Sequence, residues 1–309
     1  MYIGIDIGGT KCAVILADKH GTKRSRVVFA TTDYQTTMAR ILEEVDKLLP
    51  CTAIGISCGG PLDEARGMIL SPPNLPGWDE IPITQILEER FGVPAYLCND
   101  ANACALAEWK FGAGQGTQNM VFLTFGTGMG AGLILHGKLY SGTNGNAGEV
   151  GHMRLTDYGP VGYGKAGSFE GFCSGGGIKQ IGQTLARERL QCGKTTAFCH
   201  SIEKLDAITA KAIAEAADAG DETACKVWEI ASEKLGLGIS LLIDLLNPER
   251  IVIGSIFARS EHLLRDTMER VIAREALPQS GQVCKIVPAA LGDEIGDYAA
   301  IAVAMKEGF

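Results

Sequence analysis

The chain has 309 residues, 46% of them hydrophobic, enough to bury one large core or two smaller ones. Its formal net charge is −8 and no basic run interrupts that balance, which argues against a nucleic-acid-binding surface. Ten cysteines include no C-x-x-C pair and no Cys/His cluster with metal-ligand spacing, so reduced, buried thiols are expected.

Taken in chain order, YIGIDIGG opens directly on a strand, with no basic region and too short an apolar run for a signal peptide. Strands are predicted at 2–7 and 12–17 around a Gly-Gly turn, with a third at 25–31 and a helix over 38–49. AIGISCGGP reads as a buried strand running into a Gly-Pro break, and the proline-rich LSPPNLPGWDEIP leads to a helix near 83–91. PAYLCND is a strand with a polar end, and ANACALAEWKFG a helix stopping at Gly112. MVFLTFGTGMGAGLILHG restarts the pattern as strand, glycine turn, strand. Helical segments follow over 170–190 and 208–246, the latter broken near 218–220 and ended by Asn247-Pro248. RIVIGS is a strand, 261–277 a helix, CKIVPAAL a strand and 295–307 a closing helix. The greasiest stretch, Leu235 to Leu246, contains Asp244 and is no membrane span, so the expectation is a cytoplasmic protein.

Glycine accounts for 40 residues, well above the roughly 7% average, and it comes in clusters that suit tight turns and close backbone approach to a ligand. Two of these clusters match. IGIDIGGTKCAVIL and FLTFGTGMGAGLIL are the same strand-turn-strand unit about 120 residues apart, a weak internal duplication that favours two α/β domains with a cleft between them.

In DIGGTK, from Asp6 to Lys11, the turn can expose backbone N–H groups to an anion, or it can be a plain hairpin with a satisfied aspartate. GTGMG, from Gly126 to Gly130, repeats the arrangement with a hydroxyl from Thr127, and a facing pair of such turns suits a nucleotide's phosphates. Asp100, at a strand-to-helix junction, is either an ordinary N-cap or a general base for a substrate hydroxyl. The stretch GPVGYGKAGSFEG, 159–171, contains the spacing G-x-G-x-x-G and most of a P-loop, but Ala166 stands where Ser or Thr would bind magnesium. RLTDYGPV before it is a poor strand, and Glu188 falls within a helical pattern, so this stretch is no dinucleotide site.

The ordered set GIDIGGTK, GGP, NLPGW, NDANA, FGTGMGAG, GEVGH and NPERIVIGS resembles the ROK family of sugar kinases and sugar-responsive repressors over essentially the whole chain. That resemblance implies an α/β, two-domain actin/hexokinase-like (ribonuclease H-like) fold with an interdomain cleft, divided as 1–112 plus 294–309 and 113–293. It implies transfer of the γ-phosphoryl group of ATP to a hexose or N-acetylhexosamine, with glucose and its 6-hydroxyl the favoured acceptor. N-acetylmannosamine, N-acetylglucosamine, fructose, allose and a β-glucoside stay open. It implies ATP and Mg²⁺ as cofactors, a homodimer, and no nucleic-acid or membrane partner. The alternative is a non-enzymatic sugar-sensing regulator; repressors of the family carry a helix-turn-helix ahead of the first phosphate motif, and this chain begins at that motif.

By the same resemblance, Asp6, Gly8, Gly9, Thr10 and Lys11 form the first phosphate motif, with Asp6 near Mg²⁺ through water, and Gly126, Thr127 and Gly128 form the second. Asp100 is the catalytic base. Gly60, Asn74, Asn99, Asp100, Glu149, His152 and Glu170 surround the sugar. Gly254 and Ser255 lie on the adenosine side, where Ser255 and Ile256 replace the usual third glycine. The family's zinc cysteines fall at Val161, Tyr163 and Ser168, leaving His152 alone, so structural zinc is not expected. Packing by Tyr163 and Phe169 is expected to hold that loop, with Cys173 inside the following helix.

Overall fold

The structure, a computed structural model, describes residues 1–305, and the expected end of the closing helix lies outside them. The chain divides into two compact units, one built from residues 1–122, 132–148 and the chain from 290 onward, the other from 123–131 and 149–289.

The first unit opens with β1 (Tyr2–Ile7), β2 (Lys11–Ala17) and β3 (Lys23–Ala30), an antiparallel meander. Then come α1 (Tyr34–Asp46), β4 (Ala53–Cys58), the short pair β5 (Leu62–Asp63) and β6 (Met68–Ile69), α2 (Ile83–Phe91), β7 (Ala95–Asn99) and α3 (Asp100–Phe111). After these run β8 (Met120–Leu123), β9 (Ala131–Leu135), β10 (Lys138–Leu139), the hairpin β11 (Val161–Gly162) and β12 (Lys165–Ala166), α4 (Phe169–Phe172), α5 (Gly175–Gln191), α6 (Ala210–Asp218) and α7 (Glu222–Leu246). The chain closes with β13 (Arg250–Ile253), α8 (Ile256–Glu275), α9 (Pro278–Val283), β14 (Lys285–Pro288) and α10 (Ile295–Met305).

The two five-stranded sheets have orders β3-β2-β1-β4-β7 and β10-β9-β8-β13-β14. Each places its third, second, first, fourth and fifth strand side by side in that order. The duplication suspected from two glycine hairpins therefore extends to whole sheets.

Local chemistry explains the elements. In β1, Ile3, Ile5 and Ile7 are fully or almost fully buried on one face, in a core with Ile54, Ile56, Met38, Ile41 and Trp78. The other face carries Gly4, which pairs in register with Gly55 of β4. A Cβ on either would collide with α10, at Ala300 for Gly4 and at Ala300 and Ala304 for Gly55, so the glycines let an alanine-rich helix lie directly on the sheet. Asp33 caps α1 by accepting from the Thr36 N–H at 2.9 Å, which moves the helix start four residues ahead of the expected one. The expected helix over 170–190 is two helices, because Ser168 and Ser174 each act as an N-cap, accepting from Gly171 and Gly177 at 3.0 Å. Cys173 sits at the C-cap between them rather than inside a helix, fully buried, with its thiol donating to the Ala231 carbonyl. The break near 218–220 falls where expected, since Asp221 caps α7. Asn247 ends α7 in the left-handed region, with Pro248 behind it.

Candidate active site

The predicted residues of the first unit gather at the ends of β1, β4 and β7. In the β1–β2 turn, the Gly8 N–H donates to the Lys11 carbonyl at 3.0 Å. Thr31 ties the turn from behind, its hydroxyl donating to the Gly8 carbonyl at 2.6 Å and its N–H to the Thr10 carbonyl at 3.0 Å. The N–H groups of Gly9 and Thr10 donate to nothing among the described residues, which leaves two backbone donors for an anion. Gly9 has to be glycine: a Cβ there would stand 2.8 Å from both Cβ and the carbonyl oxygen of Asn74. Asn74 is thereby brought against the turn, while Trp78 of the same NLPGW motif is a core residue, edge-on to Tyr34 at 5.3 Å.

At the β7–α3 junction the N-cap is Asn99, not Asp100. Asn99 Oδ1 accepts from the Ala101 N–H at 3.0 Å, and Asp100 Oδ1 accepts from the same group at 2.8 Å. Asp100 Oδ2 lies toward Gly59, and Asn99 Nδ2 toward Gly60. Glu64, which sequence reasoning missed, holds the junction by accepting from the Asn99 N–H at 2.7 Å. Burial pushes the carboxyl of Asp100 above its usual range, opposed by these backbone hydrogen bonds. Asp6 is pushed up to about 6, first by burial and then by the charges of Asp297 and Asp100, with Lys11 and Arg26 pulling the other way. Asp6 and Asp100 lie at the ends of β1 and β7, which both pair with the end of β4, Ile7 opposite Cys58 and Cys58 opposite Asn99. Asp297 was also missed; it is 3% exposed, accepts from Lys23 Nζ at 3.0 Å and Arg26 Nε at 2.7 Å, and lies one residue after Gly296, which abuts the Asp6 carboxylate. Its only sequence signal is an acidic residue in an otherwise apolar helix, answered by Lys23 and Arg26 on β3.

Asp6 has no hydrogen bond or ion pair to protein among the described residues, and two like charges face it. A carboxylate in that setting suits a divalent cation or its water shell. Lys11 and the free N–H groups of Gly9 and Thr10 suit phosphate oxygens beside it.

The second unit repeats the backbone arrangement. The Gly126 N–H donates to the Gly128 carbonyl at 3.0 Å, and the N–H groups of Thr127 and Gly128 donate to nothing among the described residues. Gly175 donates to the Gly126 carbonyl at 2.8 Å, fixing the turn to the start of α5. Glu170 Oε2 accepts from the Met129 N–H at 3.0 Å, and a Cβ on Gly128 would lie 2.7 Å from that same oxygen. Glu170 is therefore joined to the glycine turn, which the sequence did not reveal. His152 belongs to a short helical turn over 150–152 and its N–H donates to the Glu149 carbonyl at 3.1 Å. Gly151 packs on the Glu170 side chain, so Glu149, His152 and Glu170 are neighbours.

Next to Gly126 and Thr127 lies a cavity of about 660 Å³. Ser255 at the N-cap of α8 lines it with Arg259 and His262 of that helix, and so do Lys211, Glu215 and Asp218 of α6, at helical spacing. His262 Nε2 meets Asp218 Oδ1 at 2.7 Å and Arg259 donates to Ser255 Oγ at 2.9 Å. Ser255 has φ +50°, a conformation that favours glycine, so the hydroxyl at this position is held under backbone strain. Of its lining, the sequence pointed to Gly126, Thr127 and Ser255; the i, i+4, i+7 polar pattern was the signal for the charged residues of α6 and α8. A second cavity of similar volume, between α8, α9 and β14, is lined by none of the predicted site residues.

The loop over 159–171 is a two-residue hairpin, β11–β12, followed by α4. Phe169 is fully buried against Gly238, as expected, but Tyr163 is 82% exposed and does not pack into the loop's interior. Backbone bonds hold the loop instead, from Phe169 to Met153 at 2.8 Å and from Leu155 to Gly167 at 2.9 Å. Among the described residues no three His, Cys, Asp or Glu side chains are grouped to hold a metal ion, and Val161, Tyr163 and Ser168 do not fit zinc. No helix among the described residues is long and apolar enough to cross a membrane.

Two like-ordered sheets, each presenting a glycine turn with two N–H groups that donate to nothing among the described residues, define an α/β protein built on a repeated unit. The pattern that defines the ROK family matches residues 2–307, and the chain belongs to that family. A glucokinase from Halalkalibacterium halodurans is 32% identical over 308 residues, covering 96% of this chain and 92% of the relative. A ROK-family glucokinase of Streptomyces griseus, solved with glucose and AMPPNP, superposes with a TM-score of 0.74 at 29% identity, covering 99% of each chain. A ROK-family transcriptional regulator homologous to the E. coli MLC protein superposes with a TM-score of 0.83 at 25% identity, covering 98% of this chain and 76% of its own. The fold is thus the two-domain actin/hexokinase-like class.

Proposed function

We propose that the protein is an ATP-dependent sugar kinase acting on glucose or a related hexose or N-acetylhexosamine, with the 6-hydroxyl as the favoured acceptor. The observation that carries the reading is that Asp100, whose Oδ2 meets no other residue's donor among the described residues, stands at the end of β7 beside the β4 end that also flanks the turn of Gly8, Gly9, Thr10 and Lys11. In the reaction, Asp100 accepts the proton of the sugar hydroxyl as its oxygen bonds to the γ-phosphorus. The bond from that phosphorus to the β–γ bridging oxygen breaks, and ADP leaves. Lys11 and the unpaired N–H groups of Gly9 and Thr10, with those of Thr127 and Gly128, bind phosphate oxygens. Asp6 would hold the water shell of Mg²⁺, which would supply neutralisation of phosphate charge. Gly60, Asn74, Asn99, Glu149, His152 and Glu170 bind sugar hydroxyls. The cavity beside Gly126, lined by Gly254's neighbour Ser255, takes the nucleoside.

The glucokinase relatives support this reading, and the glucose and AMPPNP held by the Streptomyces griseus protein support both ligand classes. The likeness to a regulator favours the alternative of a sugar sensor, but a sensor has no use for Asp100 as a proton acceptor. ADP release measured over a sugar panel decides between them. Turnover with at least one hexose is expected, and tight sugar binding without any ADP release would favour the sensor. The division 1–112 plus 294–309 and 113–293, a cytoplasmic location and a homodimer belong to the same proposal. Exposed Leu241 and Leu245 on α7, with exposed Leu277 held beside α7 by its N–H to Asp244 at 2.8 Å, support self-association. Light scattering should give twice the 32.7 kDa chain mass, and a monomer would remove the dimer.

A further inference from the structure

Tyr163 is the one feature of the 159–171 loop for which neither folding nor phosphoryl transfer has a use. It occupies the first turn position of the β11–β12 hairpin, with φ +43°, followed by Gly164 at φ +76°. That turn geometry wants Asn, Asp or Gly, and a bulky aromatic there is strained. The strain returns no burial, because the ring is 82% exposed. The hairpin does not need the ring either. Lys165 Nζ donates to the His152 carbonyl at 2.6 Å, and Arg154 donates to the Ala166 carbonyl at 2.8 Å. Gln180 both accepts from the Val161 N–H and donates to the Val161 carbonyl, each at 2.9 Å. The Lys165 and Arg154 bonds fix the hairpin against the segment that carries Glu149 and His152, and the Gln180 bonds fix it to α5. The ring itself stands edge-on to the His152 imidazole, centroids 5.8 Å apart and planes at 77°. Strain kept at an exposed aromatic, beside a polar cluster and on a rigid support, is the pattern of a recognition residue.

We propose that Tyr163 is a specificity-determining residue, an aromatic platform at the rim of the acceptor site that stacks on an apolar aglycone or second ring attached to the hexose. The inference rests on the sugar reading of Glu149, His152 and Glu170, and it narrows the acceptor to a glycoside rather than a free monosaccharide. The polar cluster takes the hydroxyls of the inner ring, and Tyr163 takes the apolar face beyond it, its own hydroxyl staying in water.

The test is calorimetric binding, without nucleotide, of glucose and of phenyl α- and β-D-glucoside to the wild type, Tyr163→Asn and Tyr163→Phe, with melting curves for all three. At least one phenyl glucoside should bind the wild type more tightly than glucose. Tyr163→Asn should weaken that glucoside about two- to tenfold, as expected for losing one aromatic contact, while glucose changes by less than about twofold. Tyr163→Phe should keep the glucoside affinity. Tyr163→Asn should melt at or above the wild-type temperature, since asparagine suits the turn; a ring that merely fastened the hairpin would lower it. Glucose binding without any gain from the phenyl group, or equal loss of both ligands in Tyr163→Asn, overturns the platform and leaves the kinase reading intact. Absence of any glucose binding to the wild type overturns the sugar reading, and the platform with it.

Discussion

Asp6 illustrates what a single side chain records. The residue is half-buried at the end of an isoleucine-lined strand, and desolvation, with the charges of Asp297 and Asp100, pushes its carboxyl up from 3.8 to about 6. Between those two values the folded protein holds a proton that the unfolded chain has released, so stability falls as pH rises through that window and stays low above it. Asp6→Asn should therefore raise stability at pH 7.5 by about 1–3 kcal/mol, with the gain vanishing toward pH 4, while phosphoryl transfer is lost. Melting curves of both proteins at pH 4, 5, 6 and 7.5 check this; a gain independent of pH would contradict it. Gly128 makes a second residue-level case. A methyl group there would sit 2.7 Å from Glu170 Oε2, displacing the carboxylate that accepts from Met129. Gly128→Ala should lower kcat/KM for the sugar by about tenfold or more, since a misplaced binding group of this kind costs at least that much. Unchanged steady-state kinetics would separate Glu170 from the site.

At the scale of elements, the joint between α3 and the last segment rests on a buried ion. Glu108 is fully buried, and its carboxylate accepts from the N–H groups of Ala113 at 2.7 Å, Ala290 at 3.2 Å and Leu291 at 2.9 Å. Removing it takes the carboxylate acceptor from three part-buried N–H groups, which places each loss at the low end of about 1–3 kcal/mol. Glu108→Ala should thus destabilise the fold by roughly 3 kcal/mol or more in urea unfolding, and a loss under about 1 kcal/mol would contradict the latch. Which elements were legible in the sequence follows from the same physics. Strands β1, β4, β7 and β13 announce themselves as apolar runs with glycine or asparagine at their ends. The two serine caps that split α4 from α5 were in plain view, but the Gly-Gly-Gly start of α5 suggests no helix. The α9 helix has no buried residue and so leaves no apolar pattern to read. The site divides similarly. Motif residues such as Asn99 and Asp100 carry their chemistry in their spacing, whereas Glu64 and Asp297 act through partners 35 and 271 residues away in sequence, which no local pattern encodes.

For the molecule as a whole, the repeat is the organising fact. One strand order occurs twice, and each copy begins with a hairpin whose turn leaves two N–H groups without a partner among the described residues, at Gly9 and Thr10 in the first and at Thr127 and Gly128 in the second. The copies have diverged in what they add. The first supplies the carboxylates Asp6 and Asp100; the second supplies the Glu149, His152 and Glu170 group and the cavity beside Ser255. Under the proposed function, Asp100 is the group whose chemistry would distinguish a phosphotransferase from a sugar-binding relative of the same fold. The measurement that tests this is kcat for Asp100→Asn against the wild type, on the best sugar from the panel, with sugar affinity measured by calorimetry on the same samples. The account predicts a fall in kcat of at least about 10², the usual contribution of a positioned base, with the sugar dissociation constant changed by less than about threefold. A wild-type kcat in Asp100→Asn would contradict it.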